Sequence, residues 1–588
     1  MKRLPVAHTR PRAGSILDLE PRLDLATPRP LRVAFPVLLD GDLVESTEHL
    51  GVAYLASVLR NAGAACRIIE VPVHDLGDEE AADEVAAWGP DIVGLTLTTV
   101  GVGHATRFGT LLRRRLPSAL VFAGGPLATH SGAALLDLRG WEFLDGLVRG
   151  EGEIAVLRLA EAIHSGESLS LVPNLCYRTG ASIVTVPELT AVHDLDELPF
   201  PARDQFERHS GKLPFLRIST SRGCTSSCTF CNAPHARNPI TRMKVWRGAS
   251  PRRVVDEIEL LADRYDVDTF DFVDSTFEDP GGREVGKRRV AAIAQEILRR
   301  GLDIHFNCCM QAVNWGDEDR PLLELLRRAG LEKVLVGLEA GSDDALELWN
   351  KRSRVADNVR VIRLLREVGA YVVPGFITWH PYLTFDMLRA NVAFLGAHVG
   401  HNLRPYTTRL ELYPGAEIVD LLRRDRLLLP AYDEALDPFA YSYRDPRIGR
   451  LASLLRGPYG GDGVEGRRST AVRFEAGDLQ LHTFMSRLGR AFGDDALARE
   501  ILDEASEAVD LVRRKMSDHN SALVGGYVER GEHQDLTREE VWARGPALEA
   551  YFAERIREIE TIRLVTSVRL HRAGCAVDSI AVPATAAA

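Results

Sequence analysis

Three cysteines within eight residues, Cys224, Cys228 and Cys231, constrain this chain more than any other feature. They follow the apolar run Phe215 to Ile218, which reads as a strand, and they sit in the loop Arg222-Gly223-Cys224-Thr225-Ser226-Ser227-Cys228-Thr229-Phe230-Cys231. A loop this short can turn three thiolates toward one point. Three sulfur ligands suit a 4Fe-4S cube with one iron left open for a substrate or cofactor, because a closed cube uses four. The competing reading is a structural zinc site, which normally pairs two ligand clusters; the nearest residue for a fourth ligand is His235, four after Cys231. Three unrelated buried cysteines sit poorly with the Gly, Ser and Thr around them.

The 588 residues are long enough for roughly two to four domains. A composition of 45% hydrophobic and 26% charged residues is that of a soluble globular protein. No run of about 18 apolar residues offers a membrane span, and Met1 to Pro30 lacks the apolar core of a signal peptide, so a cytoplasmic protein is expected. A formal charge of −11 argues against nucleic acid, whose phosphates want a basic face; a small-molecule substrate fits better. Eight cysteines, partly clustered, point to metal in a reducing compartment rather than to disulfides.

Residues 1–30, rich in Pro and Arg, read as an arm. From Leu31 the runs Leu31 to Phe35, Cys66 to Val71, Asp91 to Leu97, Leu120 to Ala123 and Gly146 to Arg149 read as strands separated by helical spacing of Leu, Val and Ala. Such alternation implies a parallel sheet with helices on both faces and a ligand at the carboxyl ends of the strands. There lie Glu45-Ser46-Thr47, Thr96 to Thr99 with Thr98 among them, Gly124-Gly125-Pro126 and Arg149-Gly150-Glu151-Gly152-Glu153. Their small and polar side chains would let a large flat ligand approach the backbone.

Residues 166–205 read as a linker carrying a short hairpin, Pro173 to Val186, and a proline-stiffened stretch, Asp194 to Arg203. After the cysteine strand, further strands are expected at Thr269 to Val273, Ile304 to Cys308, Lys333 to Leu338, Tyr371 to Ile377 and Arg409 to Leu412. Ser250-Pro251 opens a helix with Val254, Ile258 and Leu261 on one face. Six strand-helix repeats make an open (β/α) barrel over residues 206–425, with chemistry at the carboxyl ends of its strands. Residues 426–588 are expected to be helical, the segment Thr537 to Val568 opening with a capping box, Thr537 and Glu540. This part is expected to close the barrel and shape the substrate pocket, with a structural or dimerising appendage as the alternative.

At the cysteine loop the chain resembles the radical S-adenosylmethionine (SAM) superfamily, whose signature is C-x3-C-x-aromatic-C, the aromatic being Phe230. Residues 31–165, through Glu48 to Ala56, Ala123 to Pro126 and Gly150 to Glu153, are similar to the cobalamin-binding domain that precedes the radical SAM core in one large subfamily. The resemblance implies an α/β protein: a doubly wound Rossmann-like cobalamin domain, a partial (β/α)6 radical SAM barrel and a helical C-terminal domain. It also implies a 4Fe-4S cluster on Cys224, Cys228 and Cys231, with SAM on the open iron and cobalamin over Thr96, Thr98, Gly124, Gly125, Pro126 and Glu151.

For SAM, the resemblance carries over Phe230, Asp274 (as partner of the ammonium), Ser275, Glu339 in Gly337-Leu338-Glu339-Ala340-Gly341-Ser342, and Ile377 in Gly375 to Thr384, and Gln311 beyond the third strand is a further polar candidate. Trp379 and Leu383 depart from the last pattern, standing where the family has glycine and an acid. Tyr413 and Pro414 would line the pocket, and Cys308 and Cys309, on opposite strand faces, cannot both enter it. The D-x-H-x-x-G motif that supplies a histidine to cobalt is absent, and His74 and His130 lie outside that spacing. The implied reaction is methyl transfer from methylcobalamin to an unactivated carbon of a small molecule through a 5′-deoxyadenosyl radical, fed by a flavodoxin- or ferredoxin-type donor. The alternative is cyclisation, rearrangement or oxidation without net methylation. A methylthiotransferase is disfavoured, since only Cys66 and Cys176 precede the loop. A non-catalytic sensor is the remaining class.

Overall fold

The computed structural model describes residues 12–14, 24–26, 29–38, 48–71, 75–99, 101–209, 215–233, 246–278, 283–459 and 469–577. Most of the expected arm, Glu45-Ser46-Thr47, His74, His235 and the C-terminal tail lie outside these residues.

Strand β1 (Arg12–Gly14) comes first, followed by β2 (Arg32–Leu38), β3 (Ala65–Val71), β4 (Ile92–Thr96), β5 (Leu120–Gly124), β6 (Gly146–Val148), β7 (Leu175–Thr179), β8 (Ser182–Thr185) and β9 (Thr190–Val192). One seven-stranded sheet has the order β3-β2-β4-β5-β6-β7-β8. It is parallel from β3 to β6 and antiparallel from there to β8. Residues of β2 alternate between two cores: Val33, Phe35 and Val37 face one, Ala34 the other, the signature of a sheet covered on both faces. The chain order reverses between β2 and β4, and a crevice for a ligand opens at such a switch point. Hairpin β7–β8 widens this sheet instead of serving as linker. Its strand β7 pairs with β6 from Gly146↔Tyr177 to Val148↔Leu175, so the sheet continues past residue 165. A separate short pairing joins β1 to β9.

The second sheet is five-stranded, β10 (Leu216–Ile218), β13 (Thr269–Phe272), β14 (His305–Gln311), β15 (Leu331–Glu339) and β16 (Tyr371–Phe376) in that order, and all its pairings are parallel. Between its first two strands, β11 (Ser221–Gly223) and β12 (Trp246–Gly248) form an antiparallel ribbon. The sixth strand expected at Arg409 to Leu412 is reduced to one bridge, Trp379↔Arg409. The helix after the ribbon, Pro251–Tyr265, begins as the sequence foretold, with Ser250 Oγ accepting from Arg253 N and proline in the first turn. Leu335, midway along β15, and Val273, just past the end of β13, are 42% and 40% exposed. The inner face of this barrel is therefore open, whereas Val334, Val336 and Leu338 pack outward under helices.

The C-terminal helices Thr470–Phe492, Ala496–His533, Arg538–Ala543 and Gly545–Arg572 pack on one another. Thr537 and Glu540 form the expected capping box. Helix Thr470–Phe492 runs under the amino ends of the barrel strands: Arg487 Nε donates to Glu332 Oε1 at the start of β15 and its Nη2 to Thr269 Oγ1 at the start of β13. Asp478 accepts from Tyr371 OH at the start of β16 and from Arg513 Nε, both at 2.9 Å. These four helices thus close the end of the barrel opposite the cysteines, whereas the segment before them, from residue 426, packs Tyr432, Ala440 and Tyr441 in one cluster with Phe230, Ile377 and Tyr413 beside the cysteine loop.

Candidate active site

The ribbon β11–β12 delivers the cysteine loop. Gly223 ends β11 at φ +89°, a conformation open to glycine, and the chain then turns into Cys224. Several backbone bonds pin the loop to the barrel rim. Thr229 N donates to Trp349 O at 3.0 Å and Ile418 N to Thr229 O at 2.8 Å. Asn350 Nδ2 donates to Ser227 O at 2.9 Å. Phe230 packs edge-on against Trp349 at 5.6 Å.

The three thiols share one electrostatic environment. Burial pushes Cys231 up to about 11 and raises Cys228, each raised further by Cys224, while Lys351 opposes the rise at Cys228. Gln311 Nε2 donates to Cys224 Sγ at 3.4 Å, and Ala233 N donates to Cys231 Sγ at 3.3 Å. Sulfurs already receiving N–H groups are suited to carry thiolate charge. Among the described residues no three His, Cys, Asp or Glu side chains converge on a single-ion site; a cube, taking one thiolate at each of three separate irons, asks for sulfurs set apart around one point. This donor set fits a 4Fe-4S cluster, and none of the eight cysteines is in a disulfide.

Around it stand the carboxyl ends of β14, β15 and β16. Glu339, at φ +63°, is held in a left-handed conformation unusual for its type, and its Oε1 accepts from Lys351 Nζ at 2.8 Å. Burial alone would lower the Lys351 ammonium, but Glu339 and the Cys228 thiol hold it raised. Ile377 N donates to Glu339 O at 2.9 Å, so Glu339 and Ile377 share the rim with Phe230 and Gln311; Ser275 is exposed beyond β13. Lys351 was missed in the sequence. The signal available was a lysine twelve residues beyond Glu339, which only the return of the helix after β15 makes a neighbour.

Asp274 does not suit the role expected of it. It is 3% exposed, and its oxygens accept from Thr220 Oγ1 at 2.5 Å and Ser221 N at 2.7 Å. Burial pushes it up to about 6 despite these bonds, so it braces the start of the ribbon and is turned away from an ammonium group. Trp379 packs at 2% exposure with Nε1 donating to Tyr406 O at 2.8 Å, and Leu383 is likewise core. Cys308 is buried and Cys309 half-buried, on opposite faces as expected.

In the first sheet, Thr96 closes β4 at the switch point, and Gly125 follows β5 at φ +93°. A Cβ on Gly125 would stand 2.9 Å from Leu97 O, so only glycine lets the β4 and β5 ends lie this close. Gly124 and Thr98 are half-buried and Pro126 exposed, leaving a low, polar edge that fits a large flat ligand. Glu151 belongs elsewhere: its carboxylate is taken up by Arg222 at 3.4 Å and by Arg247 of the cysteine ribbon. His130, beside the same edge, meets the barrel domain at Gly415, in the turn after the rudimentary sixth strand, where a Cβ would collide with its ring. The carboxyl edges of the two sheets therefore face each other across the cysteine loop.

A model of the radical SAM superfamily matches residues 218–395 and one of the B12 binding domain matches residues 39–160. A three-thiol loop at the carboxyl end of a parallel barrel is the site of a radical SAM enzyme. The cobalamin-type sheet docked over it narrows this further, and the chain belongs to the cobalamin-binding-domain radical SAM family. It is 27% identical over 383 residues to an uncharacterized methyltransferase of Pyrococcus horikoshii, covering 65% of this chain and 79% of that one. It is 28% identical over 338 residues to the anaerobic magnesium-protoporphyrin IX monomethyl ester cyclase of Rubrivivax gelatinosus, covering 55% of this chain and 58% of the cyclase. The structure of the cobalamin-dependent SAM radical enzyme OxsB with aqua-cobalamin and SAM bound superposes with a TM-score of 0.60 at 17% identity, over 94% of this chain and 82% of that one. The cofactors of the family are a 4Fe-4S cluster, SAM and cobalamin. No helix among the described residues is long and apolar enough to cross a membrane.

Proposed function

We propose that this enzyme transfers a methyl group from methylcobalamin to an unactivated carbon of a small-molecule substrate. The observation that carries the reading is the facing of the two carboxyl edges, which brings the flat-ligand edge at Thr96, Thr98, Gly124, Gly125 and Pro126 over the loop of Cys224, Cys228 and Cys231. When bound, the cofactors supply the chemistry, a 5′-deoxyadenosyl radical to take a hydrogen atom and a methyl group to replace it. The protein's share is placement. The three cysteines hold the cluster; Phe230, Gln311, Glu339 and Ile377 line the rim where SAM would lie, with Ser275 beyond β13; and Lys351 offsets thiolate charge. Leu335 presents an apolar side chain on the open inner face of the barrel, beside the half-buried Cys309. A small electron donor of flavodoxin or ferredoxin type would reach the cluster in the reducing cytoplasm.

The test is anaerobic reconstitution with iron, sulfide and hydroxocobalamin, then SAM with a labelled methyl group, reductant and a panel of small metabolites. Labelled methylcobalamin together with 5′-deoxyadenosine and S-adenosylhomocysteine is expected. Deoxyadenosine alone, with cobalamin bound and never methylated, overturns methyl transfer and favours the second reading, cyclisation, to which the resemblance to the Rubrivivax gelatinosus cyclase lends weight.

A further inference from the structure

Arg222 and Arg247 are direct cross-strand partners in the β11–β12 ribbon, and their side chains point to one face. Like charges placed so are destabilising, and this pair is largely buried, at 18% and 11% exposure. Both are neutralised from the other sheet. Arg222 Nη2 donates to Glu153 Oε1 at 2.7 Å, its Nη1 lies 3.4 Å from Glu151 Oε2, and its guanidinium covers the Tyr54 ring at 5.1 Å. Arg247 Nη1 donates to Glu151 Oε2 at 3.1 Å and also reaches Val192 O. Glu153 is buried, with its second oxygen lacking any hydrogen-bond partner. Two cations on the ribbon that leads into Cys224 thus meet two anions from the end of the loop after β6 and the first residue of the helix Glu153–Ser165 that follows.

We propose that Glu151 and Glu153 are positioning residues for the cluster. They neutralise the facing arginines and so keep the ribbon, and with it Cys224, in register only while the cobalamin sheet is docked. The Gly150 to Glu153 segment then serves as the latch that fixes the spacing between cobalamin and cluster. The consequence for methyl transfer rests on the function proposed above; the latch itself does not.

The experiment compares the full-length wild type with Glu153→Gln, Glu151→Gln and the charge swap Glu153→Arg with Arg222→Glu. It follows amide hydrogen exchange of the β11 and β12 peptides, iron content, the visible spectrum of bound cobalamin, and the EPR signal of the reduced cluster with and without one-electron-reduced cobalamin as a magnetic probe. With Glu153→Gln, exchange of β11 and β12 should rise ~10-fold, and magnetic broadening of the cluster signal by cobalamin should weaken although iron and cobalamin remain bound. Formation of deoxyadenosine and methylcobalamin should fall together by ~10-fold. The swap should restore exchange and broadening toward the wild type. Unchanged exchange and broadening in both Gln variants, or a swap no better than its single parents, overturns the latch. If the Gln variants do not fold, the swap and Glu153→Asp decide by the same readouts. A wild type that never methylates cobalamin sinks the methyl-transfer reading, while the exchange data still judge the latch.

Discussion

The barrel is gripped at both ends by buried ions, and the two grips differ in what they hold. At the carboxyl end, Glu151 and Glu153 engage a two-stranded ribbon next to a left-handed glycine and the cluster loop. At the amino end, Arg487, Glu332, Asp268 and Thr269 form one knot, and Asp478, Arg513, Tyr371 and His401 another, all anchored on strand starts inside the parallel ladder. In a barrel of this kind the amino face carries stability and the carboxyl face chemistry. The same ion-pair chemistry therefore serves two ends, and its position relative to the ladder decides which.

The comparison breaks most visibly at Asp478. Its replacement by Ala removes the close partner of Arg513, which keeps only Asp510 at 3.9 Å, and the acceptor of the buried Tyr371 hydroxyl; a loss of about 3 kcal/mol is expected, read as a lower unfolding midpoint. Deoxyadenosine formed per intact cluster should stay within about two-fold of the wild type. A parallel loss of cluster chemistry would mean that the lower grip also shapes the site.

Asp274 stands between the two extremes, since it braces the ribbon from below. Its buried carboxyl titrates near 6 in the fold and lower when unfolded, so the folded state binds its proton more tightly. That contribution is full at low pH and is lost as pH rises through about 6. Wild type should therefore lose ~1 kcal/mol relative to Asp274→Asn between pH 5 and 7, measured by denaturant unfolding at each pH. A flat difference across that window would show that the carboxylate is not desolvated.

At Gly415, where φ is +84° and the His130 ring fills the space of a Cβ, Ala should cost about 1–2 kcal/mol. Adding His130→Ala should remove the steric part but not the backbone part, so a double-mutant cycle separates the contact between the two domains from local strain. The smallest effect is expected at Trp379→Phe, which removes the bond to Tyr406 O: about 1 kcal/mol of stability and no change in SAM cleavage. A large activity loss there would return Trp379 to the substrate wall.

Much of this architecture was legible because it is local. The strands of both sheets follow from apolar runs of four to seven residues; the Ser250-Pro251 helix start and the Thr537 and Glu540 capping box follow from residues that satisfy their own helix termini. The alternation at 175–185 shows a hairpin but not that it widens the first sheet, since which sheet edge a hairpin joins leaves no mark on its own alternation. The Arg409 to Leu412 run has strand character, but the barrel closes there by a single bridge.

By itself the sequence determined the cluster. Three thiols in one short loop after a strand suit a cube with one open iron better than a zinc site, which wants a second ligand cluster, and the glycine and threonine edge of the first sheet follows equally from residue type and period. Tertiary structure alone decided where the carboxylates went. Glu151 and Asp274, at strand ends where the family resemblance places ligand contacts, each found a cation or a hydrogen-bond donor from a segment tens of residues away. The end of the barrel covered by the C-terminal helices was likewise a tertiary choice. The apolar stripe of a helix states that it will be buried, and only partners such as Glu332 and Tyr371, distant in the chain, state where.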